Sequence, residues 1–266
     1  MAEDLLVEKA DGVAWVTFNR PKVRNALTFA MCRTLTDFFE SLATDEAIRA
    51  VVLRGSGSDF SSGADLREVS MTLAPTPEER RATAESQVRA LAWPLLQALA
   101  RVPQPVLASV RGHAIGVGAQ FAFAADLVIA GRSARFTIPQ VKLGHSADHG
   151  ESWYLPRKVG AGRALQILLL GEPIEAHDAE RFGIVNWLVD DNAVAGQTAS
   201  LALKVAQGAS VAIRESKSLV YRALEHTLDQ QLEAEAKSLG RCAATTDYVE
   251  AIEAFVAKRR PAFTGR

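Results

Sequence analysis

The sequence has few cysteines and no apolar run long enough to cross a membrane. Only Cys32 and Cys242 occur among its 266 residues, too few for a disulfide framework or a cysteine metal site, and a reduced compartment suits them. Asp126 interrupts the longest apolar stretch, which is far too short to span a bilayer. Residues 1–9 contain Glu3 and Asp4 and lack the apolar segment of a secretory signal. We therefore predict a cytoplasmic protein that does not bind membranes.

An excess of charge of either sign is also missing. The 30 basic and 31 acidic residues nearly cancel, so the protein lacks the broad positive field that attracts nucleic acid. An anionic ligand must therefore be held by local groups. The hydrophobic content of 48% is enough for one sizeable core.

Apolar β-branched runs alternate with helical stretches over the first 192 residues. The predicted strands are residues 13–18, 50–54, 106–110, 127–130 and 184–189. The predicted helices are residues 27–42, 77–100 with a bend before Pro94, and 116–125. This alternation favours an α/β fold with largely parallel strands.

Only helices are predicted after residue 192. They cover residues 193–207, 211–225 and 228–258 and end in a basic cluster at residues 258–260. The change of pattern predicts two regions. Residues 1–192 form an α/β core, and residues 193–266 form a helical subdomain.

Two bends rich in small residues follow predicted strands. Residues 59–66 lead into a helical stretch with Asp65 as a candidate cap, and residues 110–120 contain Gly116 and Gly118. Small residues let the backbone approach a ligand, and N–H groups at a helix start can face an anion. Each bend alone also fits an ordinary turn or close helix packing. Phe121, at the third glycine position, departs from the dinucleotide-binding pattern.

Taken together, the two bends and several other segments resemble the crotonase-like enoyl-CoA hydratase/isomerase superfamily. The other matching segments are Asn19-Arg20-Pro21, Asn25-Ala26-Leu27, Arg135-Phe136, Leu155-Pro156-Arg157 and Gly183-Ile184-Val185. The resemblance implies a spiral of ββα units and a helical trimerisation region, with a homotrimer or a dimer of trimers as the assembly. It also implies an acyl-CoA thioester substrate, so CoA is part of the substrate and no separate cofactor is expected.

The same resemblance assigns residues to the site. The backbone N–H groups of Ala64 and Val117 are expected to form an oxyanion hole for the thioester enolate. CoA contacts are expected near the following residues: Arg24, Ala26, Ala64, Asp65, Leu66, Phe255 and Lys258. The basic cluster at residues 258–260 can neutralise phosphate charge, or can be a solvated helix end.

The departures from the family pattern bear on the reaction. Gln120 and Gln140 stand where hydratases of the family carry two glutamates, and an amide cannot accept a proton at pH 7. Asp148 aligns with an active aspartate of isomerases in the family, with the nearest likeness to epoxyphenylacetyl-CoA isomerases. The sequence therefore favours an acyl-CoA isomerase that shifts a double bond or rearranges a ring beside the thioester, with Asp148 as proton carrier.

Asp148 also has a structural interpretation. With Glu151 three residues later, it fits a helix N-cap in a capping-box variant. An apolar acyl pocket is expected to raise the pKa of Asp148. The neighbouring His145 and His149, together with His113, offer no identifiable set of converging metal ligands, so no metal is predicted. His149 is the reserve acid or base.

Two other functions stay open at this point. A hydratase or a C–C hydrolase can use Asp148 and the histidines to organise a water molecule. A non-catalytic acyl-CoA binder is also consistent with the loss of both glutamates. The sequence does not identify the acyl group.

Overall fold

The computed structural model describes residues 3–265 and contains two sheets. The nine strands of the described residues are β1 (Leu5–Ala10), β2 (Val13–Phe18), β3 (Ala50–Gly55), β4 (Val106–Val110), β5 (His113–Ile115), β6 (Leu127–Gly131), β7 (Arg135–Thr137), β8 (Ile174–Glu175) and β9 (Trp187–Val189). The larger sheet has the order β1-β2-β3-β4-β6-β9, and only β1 and β2 pair antiparallel. The smaller sheet has the order β5-β7-β8. The predicted α/β class with largely parallel pairing is confirmed.

Eleven α-helices connect and cover these strands in the described part of the chain. They are α1 (Phe29–Ser41), α2 (Leu66–Met71), α3 (Pro77–Gln87), α4 (Trp93–Arg101), α5 (Val117–Ala124), α6 (Glu151–Leu170), α7 (Ala176–Arg181), α8 (Val194–Ala206), α9 (Ser210–Arg222), α10 (Leu228–Ala243) and α11 (Thr246–Val256). The bend predicted before Pro94 is a π-helical segment, Val88–Ala92, between α3 and α4. Helix α6 is interrupted at Gly160, whose φ of 75° and ψ of 161° are not helical.

Two predicted boundaries are wrong. The single helix predicted over residues 228–258 is divided, because Thr245 is extended and its side chain caps α11 by accepting the N–H of Tyr248. The strand predicted over residues 184–189 is shorter, because Ile184 and Val185 donate their N–H groups to the carbonyl of Ala179 instead of a neighbouring strand. Strand β9 therefore begins at Trp187.

The larger sheet has an apolar core on each face. In β3, Val51 and Leu53 contact one core while Ala50 and Val52 contact the other, as the alternation of side chains along a strand requires. Helices α1, α4 and α5 cover the first face, and α8 covers the second with Val194, Ala202 and Ala206. Because both faces are covered, these strands are continuous apolar runs in the sequence.

Only helices occur in the described residues after β9, as predicted. Helix α8 packs on the sheet, and α9 is tied to the core through Asp126, whose carboxylate lies 2.7 Å from Lys217 Nζ and accepts the Tyr221 hydroxyl at 2.7 Å. Strand β9 ends at Val189 and α8 begins at Val194, while the division into two regions at residue 192 and the oligomerisation role of residues 193–266 stay predictions. Within residues 3–265, no helix combines the length and apolar character needed to cross a membrane.

Candidate active site

The two small-residue bends lie directly against each other. Ser61 and Ala114 form a parallel bridge, in which Ser61 N–H donates to the carbonyl of His113 and Ile115 N–H donates to that of Ser61, each at 2.9 Å. Gly63 has a φ of +89°, and a Cβ added to it would lie 2.5 Å from the carbonyl oxygen of Ile115. Glycine is therefore required where the first bend crosses the second.

Ala64 and Val117 occupy equivalent positions in the paired bends, each three residues beyond the bridge between Ser61 and Ala114. Next to Ala64, the N–H of Asp65 donates to Leu27, while Val117 is the first residue of α5 after the N-cap Gly116. Among residues 3–265, neither the Ala64 N–H nor the Val117 N–H has a hydrogen-bond acceptor. Both amides are thus available to an external acceptor, and their role as oxyanion donors stays a prediction.

The turn before α6 brings together Asp148, His149 and Glu151. His149 Nδ1 lies 2.9 Å from Asp148 Oδ1, an ion-pair distance, although the angle is not that of a hydrogen bond. Gln140 Nε2 donates to Glu151 Oε1 at 2.7 Å and reaches Asp148 Oδ1 at 3.4 Å. Glu151 Oε2 accepts the backbone N–H groups of His149 at 2.9 Å and Asp148 at 3.2 Å.

The structural interpretation of Asp148, as the cap of the following helix, is wrong. Helix α6 begins at Glu151 after Gly150, and no side chain accepts its first N–H groups as a cap. The reciprocal half of a capping box is nevertheless present, since Glu151 reaches back to the N–H of Asp148. The Asp148 carboxylate is left to contact His149 and Gln140 instead.

The prediction of a raised pKa for Asp148 is also wrong. Burial acts to raise the pKa of Asp148, but the adjacent His149 ring and the Gln140 amide lower it below its ordinary value. The carboxyl with the raised pKa is Glu151, chiefly because of burial. The pKa of His149 is raised because Asp148 and Glu151 outweigh the opposing effect of burial. The cluster therefore holds an ionised aspartate beside an imidazole that gains a proton readily.

Gln120 and Gln140 approach this turn from two sides. Gln120, one helical turn after Val117 on α5, is fully buried, and its Nε2 would lie 3.5 Å from a Cβ added to Gly150. Within the described residues, both polar atoms of the Gln120 amide and the Oε1 of Gln140 lack partners. Buried amide atoms without partners are unfavourable by about 1–3 kcal/mol each. Polar groups of a bound molecule can satisfy them.

The residues expected to contact CoA are only partly close together. Ala26 and Ala64 lie at the junction of the first bend with the chain before α1, where the carbonyl of Arg24 accepts the N–H of Ser62 at 2.8 Å. Asp65 caps α2 by accepting the N–H of Arg67 and pairs with Arg20 at 2.9 Å. This confirms its structural interpretation and leaves its CoA contact a prediction.

The remaining expected CoA contacts are exposed. Leu66 is 56% exposed, and Phe255 near the end of α11 is 85% exposed. Lys258, just beyond α11, is also exposed. No hydrogen bond or ion pair of the described residues connects Phe255 or Lys258 to the first bend. The neighbouring Arg259 pairs with Glu250 at 2.6 Å and is thereby partly neutralised.

The side chains of His113 and His145, the other two histidines considered from the sequence, make no hydrogen bond to the 148–151 turn among the described residues. His113 Nδ1 contacts Asp59 at 2.7 Å, and His145 is exposed with its Nδ1 at 2.9 Å from the carbonyl of Ser146. Asp148, His149 and Glu151 offer ligand atoms within 4.8 Å of one another. Because these groups already contact one another and Gln140, we assign no metal ligand, and the metal-free site stays a prediction.

Glu151 is the site residue whose position the sequence did not reveal. It follows Asp148 at the spacing of an exposed capping acid, yet it is fully buried between the turn and Gln140. A glutamate between Gly150 and Ser152, followed by the apolar residues of α6, gives no sign of such burial. The contact with Gln140 depends on how the chain returns from β7, which periodicity does not predict.

Comparison with known proteins extends these findings. The sequence pattern of the family described as enoyl-CoA hydratase/isomerase matches residues 8–266. The chain is 39% identical to a "Probable enoyl-CoA hydratase" of Rhodobacter capsulatus, over 97% of each chain. It is 35% identical to the 1,2-epoxyphenylacetyl-CoA isomerase of Escherichia coli, over 100% of each chain.

A solved structure of a similar protein has the same fold. The crystal structure of an enoyl-CoA hydratase/isomerase homologue from Mycobacterium abscessus superposes with a TM-score of 0.92 at 35% identity, and the match covers 98% of this chain and 100% of the other. The crotonase-like fold and the helical C-terminal region predicted from the sequence are confirmed.

Proposed function

The chain belongs to the enoyl-CoA hydratase/isomerase family, and from this membership we propose that it is an isomerase of acyl-CoA thioesters. The proposed reaction shifts a double bond, or rearranges a ring, beside the thioester carbonyl. The relatives include proteins named as hydratases and one named as an isomerase, so the choice between these reactions comes from the side chains of this site.

The observation that carries the choice is a single carboxylate free to meet a substrate, accompanied by two buried amides; the carboxylate of Glu151 is fully buried and its oxygens are occupied by three donors. Asp148, with its lowered pKa, is ionised at neutral pH and can accept a proton. Gln120 and Gln140 occupy the other two positions around the turn, and neither can act as a base. One shuttling carboxylate suffices to move a proton between two carbons, whereas adding water asks for a second proton-transfer group.

In the proposed reaction, the thioester oxygen accepts hydrogen bonds from the N–H groups of Ala64 and Val117. Asp148 takes a proton from the carbon next to the thioester, and the electron pair of that C–H bond moves into an enolate whose charge rests on the thioester oxygen. The same proton returns from Asp148 to a more distant carbon as the double bond moves. Each backbone donor to such an oxyanion is worth about 3–4 kcal/mol in the transition state.

Product analysis tests this proposal. The purified protein is incubated with a 3-enoyl-CoA, with 1,2-epoxyphenylacetyl-CoA and with a 2-enoyl-CoA, and the products are separated and weighed by mass spectrometry. We expect a product of unchanged mass from one of the first two substrates. A product heavier by one water, or a free acid, contradicts isomerisation and supports the hydratase or C–C hydrolase alternative. Tight thioester binding with no product from any substrate supports a non-catalytic binder.

We also propose that the protein assembles as a homotrimer or a dimer of trimers. The C-terminal helices carry large apolar side chains that are exposed in the single chain: Leu228, Leu232, Leu239, Val249, Ile252, Phe255 and Val256. Exposed apolar patches of this kind commonly mark interfaces. Light scattering during gel filtration tests the assembly, and a monomeric mass contradicts it.

The other predictions of the sequence remain proposals. The cytoplasmic location agrees with two unpaired cysteines, and burial raises the pKa of the Cys32 thiol to about 11. We propose no cofactor apart from the CoA of the substrate. Nucleic-acid binding is not proposed, since the net charge of −1 offers no general attraction for it.

A further inference from the structure

One buried carboxylate near Asp148 has no part in the reaction proposed above. Glu151 is fully buried at the start of α6, and its two oxygens accept three hydrogen bonds. The donors are the Gln140 amide and the backbone N–H groups of Asp148 and His149, so every one of them belongs to the proposed site. Burial of a carboxylate is unfavourable unless such partners surround it. These three donors therefore stabilise the Glu151 carboxylate, and the carboxylate in turn fixes the positions of the donors.

Glu151 determines which end of the Gln140 amide is free. Gln140 Nε2 is engaged by Glu151 at 2.7 Å, so the other end of the amide, Oε1, faces away from the carboxylate. That oxygen is buried and has no partner among residues 3–265. Without the carboxylate, the planar amide could rotate and present its N–H₂ group instead. Glu151 thus determines whether Gln140 presents a hydrogen-bond acceptor or a donor to the site.

Glu151 also contributes charge to the Asp148–His149 pair. The charged groups that act on Glu151 are His149 and Asp148, and His145 acts on Asp148 from the preceding loop. The neighbouring side chains from other elements, Gln140, Gln120 of α5 and Leu96 of α4, are uncharged. Tyr154 of α6 also lies beside Gly150, and burial raises the pKa of its phenol to about 12. The negative charges of Asp148 and Glu151 both raise the pKa of His149. Removal of either charge should release the imidazole proton at a lower pH.

We propose that Glu151 is a positioning residue for this site. Its carboxylate fixes the Asp148–His149 turn and the orientation of the Gln140 amide, and its charge keeps His149 protonated beside Asp148. Any effect of Glu151 on turnover rests on the proposed function of Asp148. The effect on His149 requires no substrate and can be measured separately.

The first test is an NMR titration of His149 in the wild-type protein and in Glu151→Gln. The resonance is assigned with His149→Asn, and Glu151→Gln keeps the size of the side chain while removing its charge. We expect the pKa of His149 to fall by about one pH unit, the effect of losing one nearby opposite charge. An unchanged pKa overturns the proposal.

Asp247→Asn is the matched control. Asp247 is also a buried carboxylate that accepts two backbone N–H groups, those of Thr264 at 2.7 Å and Gly265 at 2.8 Å, but it lies outside the site. We expect the pKa of His149 to stay the same in this variant. If Glu151→Gln does not fold, the wild-type titration still decides, because the His149 resonance should show an inflection where Glu151 titrates, at higher pH than the inflection from Asp148. A resonance that reports only Asp148 and His149 itself overturns the proposal.

The second test uses the pH profile of kcat/KM on a substrate that the wild type converts. Loss of the Glu151 charge should move the alkaline limb to lower pH, since the protonated His149 beside Asp148 loses an opposite charge. The acid limb, set by Asp148, should stay in place, because Glu151 with its raised pKa is already protonated where Asp148 titrates. Asp247→Asn should leave both limbs in place. A profile that falls uniformly without moving gives Glu151 a merely structural role and contradicts the proposal. If the wild type converts no thioester, the proposed reaction fails while the NMR titration still decides the role of Glu151.

Discussion

Replacing Val117 by proline removes one proposed oxyanion donor with little other change. Val117 is the first residue of α5, a position where proline is well tolerated because its missing N–H has no partner within the helix. The Val117 N–H has no acceptor among residues 3–265, so the substitution breaks no hydrogen bond of the described structure. The preceding Gly116, with a φ of 54°, has the freedom to adapt to a following proline.

We expect Val117→Pro to lose transition-state stabilisation while the stability of the fold is retained. Removal of one donor from an oxyanion hole lowers kcat by about 100- to 1000-fold, or about 3–4 kcal/mol. Val117→Ala is the control, because it removes more of the buried side chain but keeps the N–H. Both variants should remain folded in thermal unfolding. Rates are measured on the substrate identified by product analysis, and a Val117→Pro variant that retains the kcat of Val117→Ala refutes the reasoning.

Three further predictions concern the proton carrier, the crossing of the bends and the attachment of α9. Asp148→Asn should lower kcat/KM by about 100- to 10,000-fold and abolish exchange of the α-proton with deuterium; an unchanged rate removes Asp148 from the mechanism. Gly63→Ala should lower both the melting temperature and kcat, because the new Cβ would lie 2.5 Å from the Ile115 carbonyl oxygen; wild-type values would show that the bends separate easily. Asp126→Asn should reduce the free energy of unfolding in urea by about 2 kcal/mol, since its carboxylate contacts the partly buried Lys217 ammonium; a change below the error of the titration would contradict this.

The buried strands of the larger sheet could be predicted because burial on both faces leaves a simple apolar pattern in the sequence. Strands β2, β3 and β4 are covered on both faces and therefore form continuous apolar runs. Strand β1 was not predicted, because it lies at the sheet edge and its second half is exposed and charged. Strands β5, β7 and β8 have only two or three residues, too few for a periodicity to be visible.

The candidate site could be predicted only as far as local sequence decides it. The two bends follow from small residues placed after strands, and their pairing agrees with that expectation. The electrostatics of the 148–151 turn could not be predicted, because they depend on which side chains the fold brings together. His149 follows Asp148 in the sequence, but its orientation toward that carboxylate and the approach of Gln140 are tertiary features. These contacts reverse the expected direction of the pKa of Asp148.

The most direct measurement is a crystal structure of the protein with a non-reactive acyl-CoA analogue. If the two bends form an oxyanion hole, the thioester oxygen will lie about 2.7–3.1 Å from the backbone nitrogens of both Ala64 and Val117. A thioester oxygen that contacts neither amide, or only one, contradicts enolate stabilisation at this site.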